Sequence, residues 1–145
     1  MVGLVLSGVT TFPLPSELRI LCSWLGDPSS QASALAGWIA RVRDGLDLAE
    51  SRFPFLFYGF DWLGFGHLVI AAVFVGPFRD PVRNVWVIRW GMFACLAVIP
   101  LALICGSIRG IPFGWRLIDC SFGLVGIVPL ILCDRWVREM EAEGK

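Results

Sequence analysis

Charged residues are scarce in this chain of 145 residues, and they cluster between long apolar stretches. Only 17% of the residues are Asp, Glu, Lys or Arg, whereas soluble domains carry about 25%. Acidic and basic residues balance to a net charge of zero, so the basic excess that is typical of nucleic-acid-binding proteins is lacking. The composition therefore indicates no nucleic-acid partner, and it argues against a single soluble core.

Residues that build metal sites and disulfide frameworks are also few. His67 is the single histidine, and the five cysteines are spread along the chain without a CxxC motif. This spacing fits neither a zinc site nor a disulfide framework. The sequence also lacks the common nucleophile, phosphate-binding and metal motifs, so we expect a protein that is not an enzyme and holds no metal ion.

Long apolar stretches dominate the rest of the chain, since 57% of its residues are hydrophobic. About 20 helical residues, at a rise of 1.5 Å each, cross a hydrocarbon core of about 30 Å. The stretches predict spans over residues 57–76, 81–106 and 112–133, with Asp80 as the N-cap of the second span and Gly106 at its end. The expected fold is all-α, a membrane-embedded three-helix bundle.

Aromatic residues support three spans, because Trp and Tyr prefer the two boundaries between membrane and water. With three spans these residues fall into one belt on each side. The first belt contains Tyr58, Trp62 and Trp115, and the second contains Trp86, Trp90 and Trp136. A slight excess of basic residues on the side of the second belt favours a cytoplasmic C-terminus.

We expect residues 1–52 to form an N-terminal arm with short amphipathic or interfacial helices, and residues 53–145 to contain the bundle and a charged C-terminal tail. Within the arm, residues 31–52 have apolar residues at helical spacing opposite a charged face. Such an amphipathic helix suits either the lipid headgroup region or the surface of another protein. We expect residues 1–12 not to be a secretory signal, and to be unstructured or to lie on the membrane.

Ionisable residues within spans cost about 2.5–3.5 kcal/mol on insertion scales, so they usually have a partner or a function. At one membrane face we predict a polar cluster that holds the first and third helices in register, formed by Asp61, Arg109, Arg116 and Asp119. At the other face we predict a second cluster around an Arg89–Asp134 pair, with Arg79, Asp80 and Arg83 close by. The alternative is that these charges are solvated by water and lipid phosphates.

His67 allows two interpretations. As a lone histidine it can be an axial ligand of haem or of a chlorophyll-type pigment, since such cofactors supply the other ligands themselves. The alternative is an ordinary hydrogen bond between helices. Small residues such as Gly64, Gly123 and Gly126 further predict that the helices pack closely.

The runs RDPVRN at 79–84, IRGIPF at 108–113 and WRLIDCSFG at 115–123 resemble a set of small, uncharacterised bacterial inner-membrane proteins. The similarity covers about residues 53–136. The resemblance implies a bacterial inner-membrane location, and it implies no activity.

The sequence favours a non-catalytic accessory or packing subunit of a membrane assembly, with the lipid bilayer and other membrane proteins or further copies as partners. A small oligomeric transporter or channel is an alternative, as is a haem- or pigment-binding protein that uses His67. An enzyme that acts on lipids is a further alternative, since arginines at the interface attract phosphate headgroups.

Overall fold

The computed structural model describes residues 1–25 and 34–143, so Lys145 and the start of the predicted 31–52 helix lie outside the described residues. All regular secondary structure in the described residues is helical, which confirms the all-α prediction. The chain divides into two compact units, Met1–Ala72 and Val73–Lys145.

In the described residues the chain forms seven α-helices, and a 3₁₀ turn at Pro54–Leu56 precedes the fourth. They are α1 (Val2–Thr11), α2 (Leu14–Leu25), α3 (Ala34–Arg52), α4 (Phe57–Val73), α5 (Val75–Arg79), α6 (Val85–Ile108) and α7 (Phe113–Glu143).

Three helical segments are long and apolar enough to cross a membrane, namely Pro54–Arg79, Val85–Ile108 and Phe113–Glu143. Between 6% and 17% of their most apolar windows is buried inside the protein. Since exposing that much apolar surface to water is costly, these faces require a hydrocarbon environment. The chain is therefore a membrane protein.

Helix α1 excludes one of the two alternatives for the extreme N-terminus, because Val2–Thr11 is helical and not unstructured. Its ten residues measure about 15 Å, which is too short to cross a bilayer. Gly8 of α1 contacts Gly64 of α4, and a Cβ atom on either glycine would lie 2.9 Å from the carbonyl oxygen of the other. The two backbones touch there because neither residue has a side chain.

Helices α2 and α3 form a hairpin that an ion-pair network joins. The Arg19 guanidinium of α2 donates to Asp47 at 2.7 Å and to Glu50 at 2.6 Å, both on α3. Hydrogen bonds to these carboxylates raise the pKa of Arg19 above its ordinary value. The charged face of α3 is thus partly occupied by α2, while Trp24 at the end of α2 is 83% exposed.

The sequence predicts that the first span ends at Gly76, but the helical segment continues to Arg79. Helix α4 ends at Val73, and after Phe74 the chain turns again into the short α5, which ends at Arg79. Pro77 lies in the first turn of α5, where the missing N–H would have had no intrahelical acceptor. Proline therefore does not end the helical segment here.

The predicted start of the second span is also wrong. Asp80 does not cap α6, since its Oδ1 accepts from the Arg83 N–H at 3.0 Å and its own N–H donates to Gly76 at 2.9 Å. A short carboxylate that bonds a backbone N–H a few residues ahead stabilises a turn. Helix α6 consequently begins at Val85, after Asn84.

The end of α6 lies beyond Gly106, the predicted stop. Gly110 has a φ of 68°, and its N–H donates to Ser107, while the Ile111 N–H donates to Gly106. This pair of bonds is a Schellman motif, in which glycine takes the left-handed position. Helix α7 then continues to Glu143, past residue 133, where the predicted apolar span ends.

Helices α6 and α7 pack against each other at small residues. A Cβ atom on Gly123 would overlap the Cys95 carbonyl, and one on Gly126 would lie 3.1 Å from the Cys95 sulfur. The Cys120 thiol reaches the Ile99 carbonyl at 3.9 Å. Close packing at Gly123 and Gly126 was predicted, and it fixes which residues of the two helices lie opposite each other.

Candidate functional site

Two polar clusters lie at opposite ends of the α6–α7 hairpin. The first, which we name the paired cluster, consists of Arg89, Asp134 and Arg138. Arg89 Nε donates to Asp134 Oδ1 at 2.9 Å, and Arg138 Nε donates to Asp134 Oδ2 at 2.8 Å. The Asp134 side chain is only 7% exposed, whereas those of Arg89 and Arg138 are 52% and 67% exposed. A buried carboxylate thus binds two guanidinium groups, one on each oxygen.

The helices bring these residues together from distant parts of the sequence. Arg89 lies in the second turn of α6, and Asp134 lies in α7 after its apolar part. The structure therefore contains the pair that the sequence placed at this membrane face. Sequence reasoning missed Arg138, although its position four residues after Asp134 is the spacing at which helical side chains meet.

The other members predicted for this face take no part in the ion pairs. Asp80 bonds the backbone N–H of Arg83 in the turn before α6. Neither Arg79 nor Arg83 forms an ion pair with any residue in 1–25 or 34–143.

At the opposite end lies the open cluster, which consists of Arg109, Arg116 and Asp119. Arg109 and Asp119 line a shallow groove of about 320 Å³ whose other walls are mainly apolar. Those walls are Val98, Leu101, Ala102, Cys105, Gly106 and Ile111. Asp119 is half-buried, and within 73–143 it forms no ion pair.

Arg116 does not bind Asp119, although the two lie one helical turn apart. Its aliphatic stem crosses Gly106 of α6, with Cδ 2.6 Å from the place where a Cβ of that glycine would be. The guanidinium carbon lies 5.3 Å from the centre of the Phe113 ring, and Nε has no hydrogen-bond partner in the described part of the chain. Arg116 therefore packs over Gly106 and does not pair with the Asp119 carboxylate.

Asp61 lies on the exposed surface of α4 in the first unit, whereas the open cluster lies in the second unit. The predicted cluster of all four residues remains a prediction.

His67 is hydrogen-bonded within its own helix, because its Nδ1 lies 2.8 Å from the Leu63 carbonyl oxygen. A carbonyl only accepts, so Nδ1 carries the hydrogen, and in the neutral ring Nε2 then keeps a lone pair. Metal-bound histidines use this arrangement, in which a backbone carbonyl orients the ring. In the described residues, no group of three or more His, Cys, Asp or Glu side chains is placed to bind a metal ion.

Comparison with known proteins gives no match. No protein-family model matches the chain, and neither a curated protein nor a solved structure matches it.

Proposed function

We propose that this protein is a non-catalytic subunit of a membrane assembly and spans a bacterial inner membrane three times, with its C-terminus in the cytoplasm. The observation that supports the proposal is the open cluster, in which the Asp119 carboxylate faces an apolar groove and has no cationic partner in its own unit. A carboxylate in this position favours a partner that carries the opposite charge.

The depth of Asp119 gives the energetic argument. It lies six residues after Phe113, the first residue of α7, which corresponds to about 9 Å along the helix. An ionised carboxylate within a span costs about 2.5–3.5 kcal/mol on insertion scales, and a nearby guanidinium or ammonium group reduces that cost. Binding of a cationic helix would therefore stabilise both proteins.

The groove sets the shape of the partner. Ala102 has a small side chain, which leaves room for a second helix to approach α6 closely. We propose that the occupant is a membrane-spanning helix of another protein, with an Arg or Lys about two turns inside the boundary. Arg109 lies in the loop after α6, where lipid phosphates reach it.

Photo-crosslinking in the native host tests this proposal. A photoreactive amino acid at Leu101, which lines the groove, is expected to give one reproducible adduct with a second membrane protein. The same amino acid at Val125, which is 72% exposed on α7 and is not among the groove residues, serves as the control.

Substitutions then test the role of charge. Asp119→Asn is expected to abolish the Leu101 adduct, whereas Asp119→Glu is expected to retain it. Asp61→Asn, which removes another carboxylate within a span, is the matched control. Equal adducts from Leu101 and Val125, or an adduct with the mass of two copies of this chain, would contradict the proposal.

A haem- or pigment-binding protein is the second candidate function, and the hydrogen bond from His67 to Leu63 favours it because Nε2 remains available. Protein purified from the native host would then show a visible absorption band that His67→Gln removes. A colourless preparation that stays colourless after haem is added would exclude this candidate.

A further inference from the structure

We infer that the paired cluster is a binding site for a phosphate group, presented by the headgroup of an anionic phospholipid. The site lies at the opposite end of the hairpin from the groove and does not depend on the proposed partner helix.

The charges of the paired cluster do not cancel. One carboxylate, that of Asp134, binds two guanidinium groups, so the three side chains carry a net charge of +1. A purely structural ion pair needs only one arginine to neutralise the buried carboxylate. The second arginine therefore leaves a positive charge that an anion can neutralise.

The geometry also leaves hydrogen-bond donors free. Each guanidinium has five N–H groups, and in the described residues Arg89 donates only Nε–H to Asp134. Arg89 and Arg138 bind opposite oxygens of one carboxylate, and their side chains are 52% and 67% exposed, so N–H groups that Asp134 does not bind are accessible on both. Guanidinium groups fixed in this way are suited to bind phosphate oxygens in pairs.

The start of α6 contributes further positive potential at the same end of the hairpin. Asn84, at the N-cap, makes no side-chain hydrogen bond to the first turn of α6. The first N–H groups of a helix carry a partial positive charge and favour anions. Arg89 lies four residues after Val85, the first residue of this helix.

Exposed tryptophans place the paired cluster at the level of lipid headgroups. Trp86, Trp90 and Trp136 are 61%, 44% and 59% exposed, and all three lie beside the arginines along α6 or α7. Tryptophan prefers the boundary between hydrocarbon and water, where lipid phosphates lie. The phosphate groups at this level belong to phospholipids, so a phospholipid headgroup is the ligand that we infer.

Native mass spectrometry of the full chain in mild detergent tests the inference. The probes are phosphatidylglycerol, which is anionic, and phosphatidylcholine, which is zwitterionic. We expect phosphatidylglycerol to bind about tenfold more tightly, and Arg138→Gln to remove about that factor by deleting charge-assisted hydrogen bonds. Arg135→Gln, which removes the same charge from an exposed arginine outside the ion pairs, is expected to leave binding unchanged.

Three outcomes would overturn the inference. An equal loss with Arg135→Gln would indicate general electrostatic attraction instead of a site. Equal binding of both lipids would exclude recognition of an anionic headgroup. Displacement of phosphatidylglycerol by an equal concentration of inorganic phosphate would identify a site for the free ion.

Arg138→Lys, which keeps the charge, is expected to retain most of the binding. Far-ultraviolet circular dichroism checks that each variant is folded.

Discussion

The two ends of the α6–α7 hairpin place a carboxylate in opposite environments. At one end Asp134 is buried and binds two arginines, whereas at the other end Asp119 lines an open groove and binds none within its unit. Both carboxylates have an arginine at helical spacing, so proximity along the helix does not decide the outcome. The neighbouring helix accounts for the difference, because the stem of Arg116 packs over Gly106 of α6 and not beside Asp119.

Cysteines at the two ends of the hairpin should differ completely in their reaction with a thiol reagent that cannot cross the membrane. With the native cysteines replaced, Arg109→Cys should react with an impermeant thiol reagent from outside the cell, and Arg138→Cys should react only after lysis. The reason is that a single crossing by α7 puts the ends in different compartments. Labelling of both cysteines from the same side would contradict the three-span topology.

Gly123→Leu should destabilise the whole hairpin, because the new side chain would overlap the Cys95 carbonyl and force the helices apart. We expect a loss of about 3 kcal/mol in the free energy of unfolding, as for severe overpacking. Gly114→Leu is the control, since no atom lies within 4 Å of its Cβ position. Reversible unfolding in mixed micelles measures both variants, and similar losses would show that Gly123 is not a close contact.

Neutralising each carboxylate should give a smaller effect that differs between the ends. Asp134→Asn should lower the free energy of unfolding by about 1–2 kcal/mol, because the amide cannot accept from both arginines. Asp119→Asn should leave the purified protein as stable as before or slightly more stable, since an unpaired charge is removed from an apolar groove. The same unfolding assay compares them, and a greater loss for Asp119→Asn would reverse our interpretation of the two ends.

The parts of the structure that the sequence predicted depend on strong, local signals. The three spans follow from long apolar runs, and the pairing of Arg89 with Asp134 follows from charges left at matching depths of neighbouring helices. The contact of Gly123 with α6 follows from the known use of small residues between membrane helices.

The parts that the sequence did not predict depend on competition between local bonds. Asp80 can cap a helix or stabilise a turn, and only the position of Arg83 and Asn84 shows which one occurs. Helix α1 has no charged face to indicate its partner, and it meets α4 at a pair of glycines. Arg116 was assigned to Asp119 by spacing, while the space above Gly106 depends on how two distant helices align.

The connection between α6 and α7 consists only of residues 109–112, and Gly110 closes it. With so short a link, neither helix can enter the bilayer far ahead of the other, so we expect the two helices to insert together. In the orientation that we propose, the start of α6 and the end of α7 both lie in the cytoplasm. The only fixed charge within the link that has to be carried across the membrane is then Arg109.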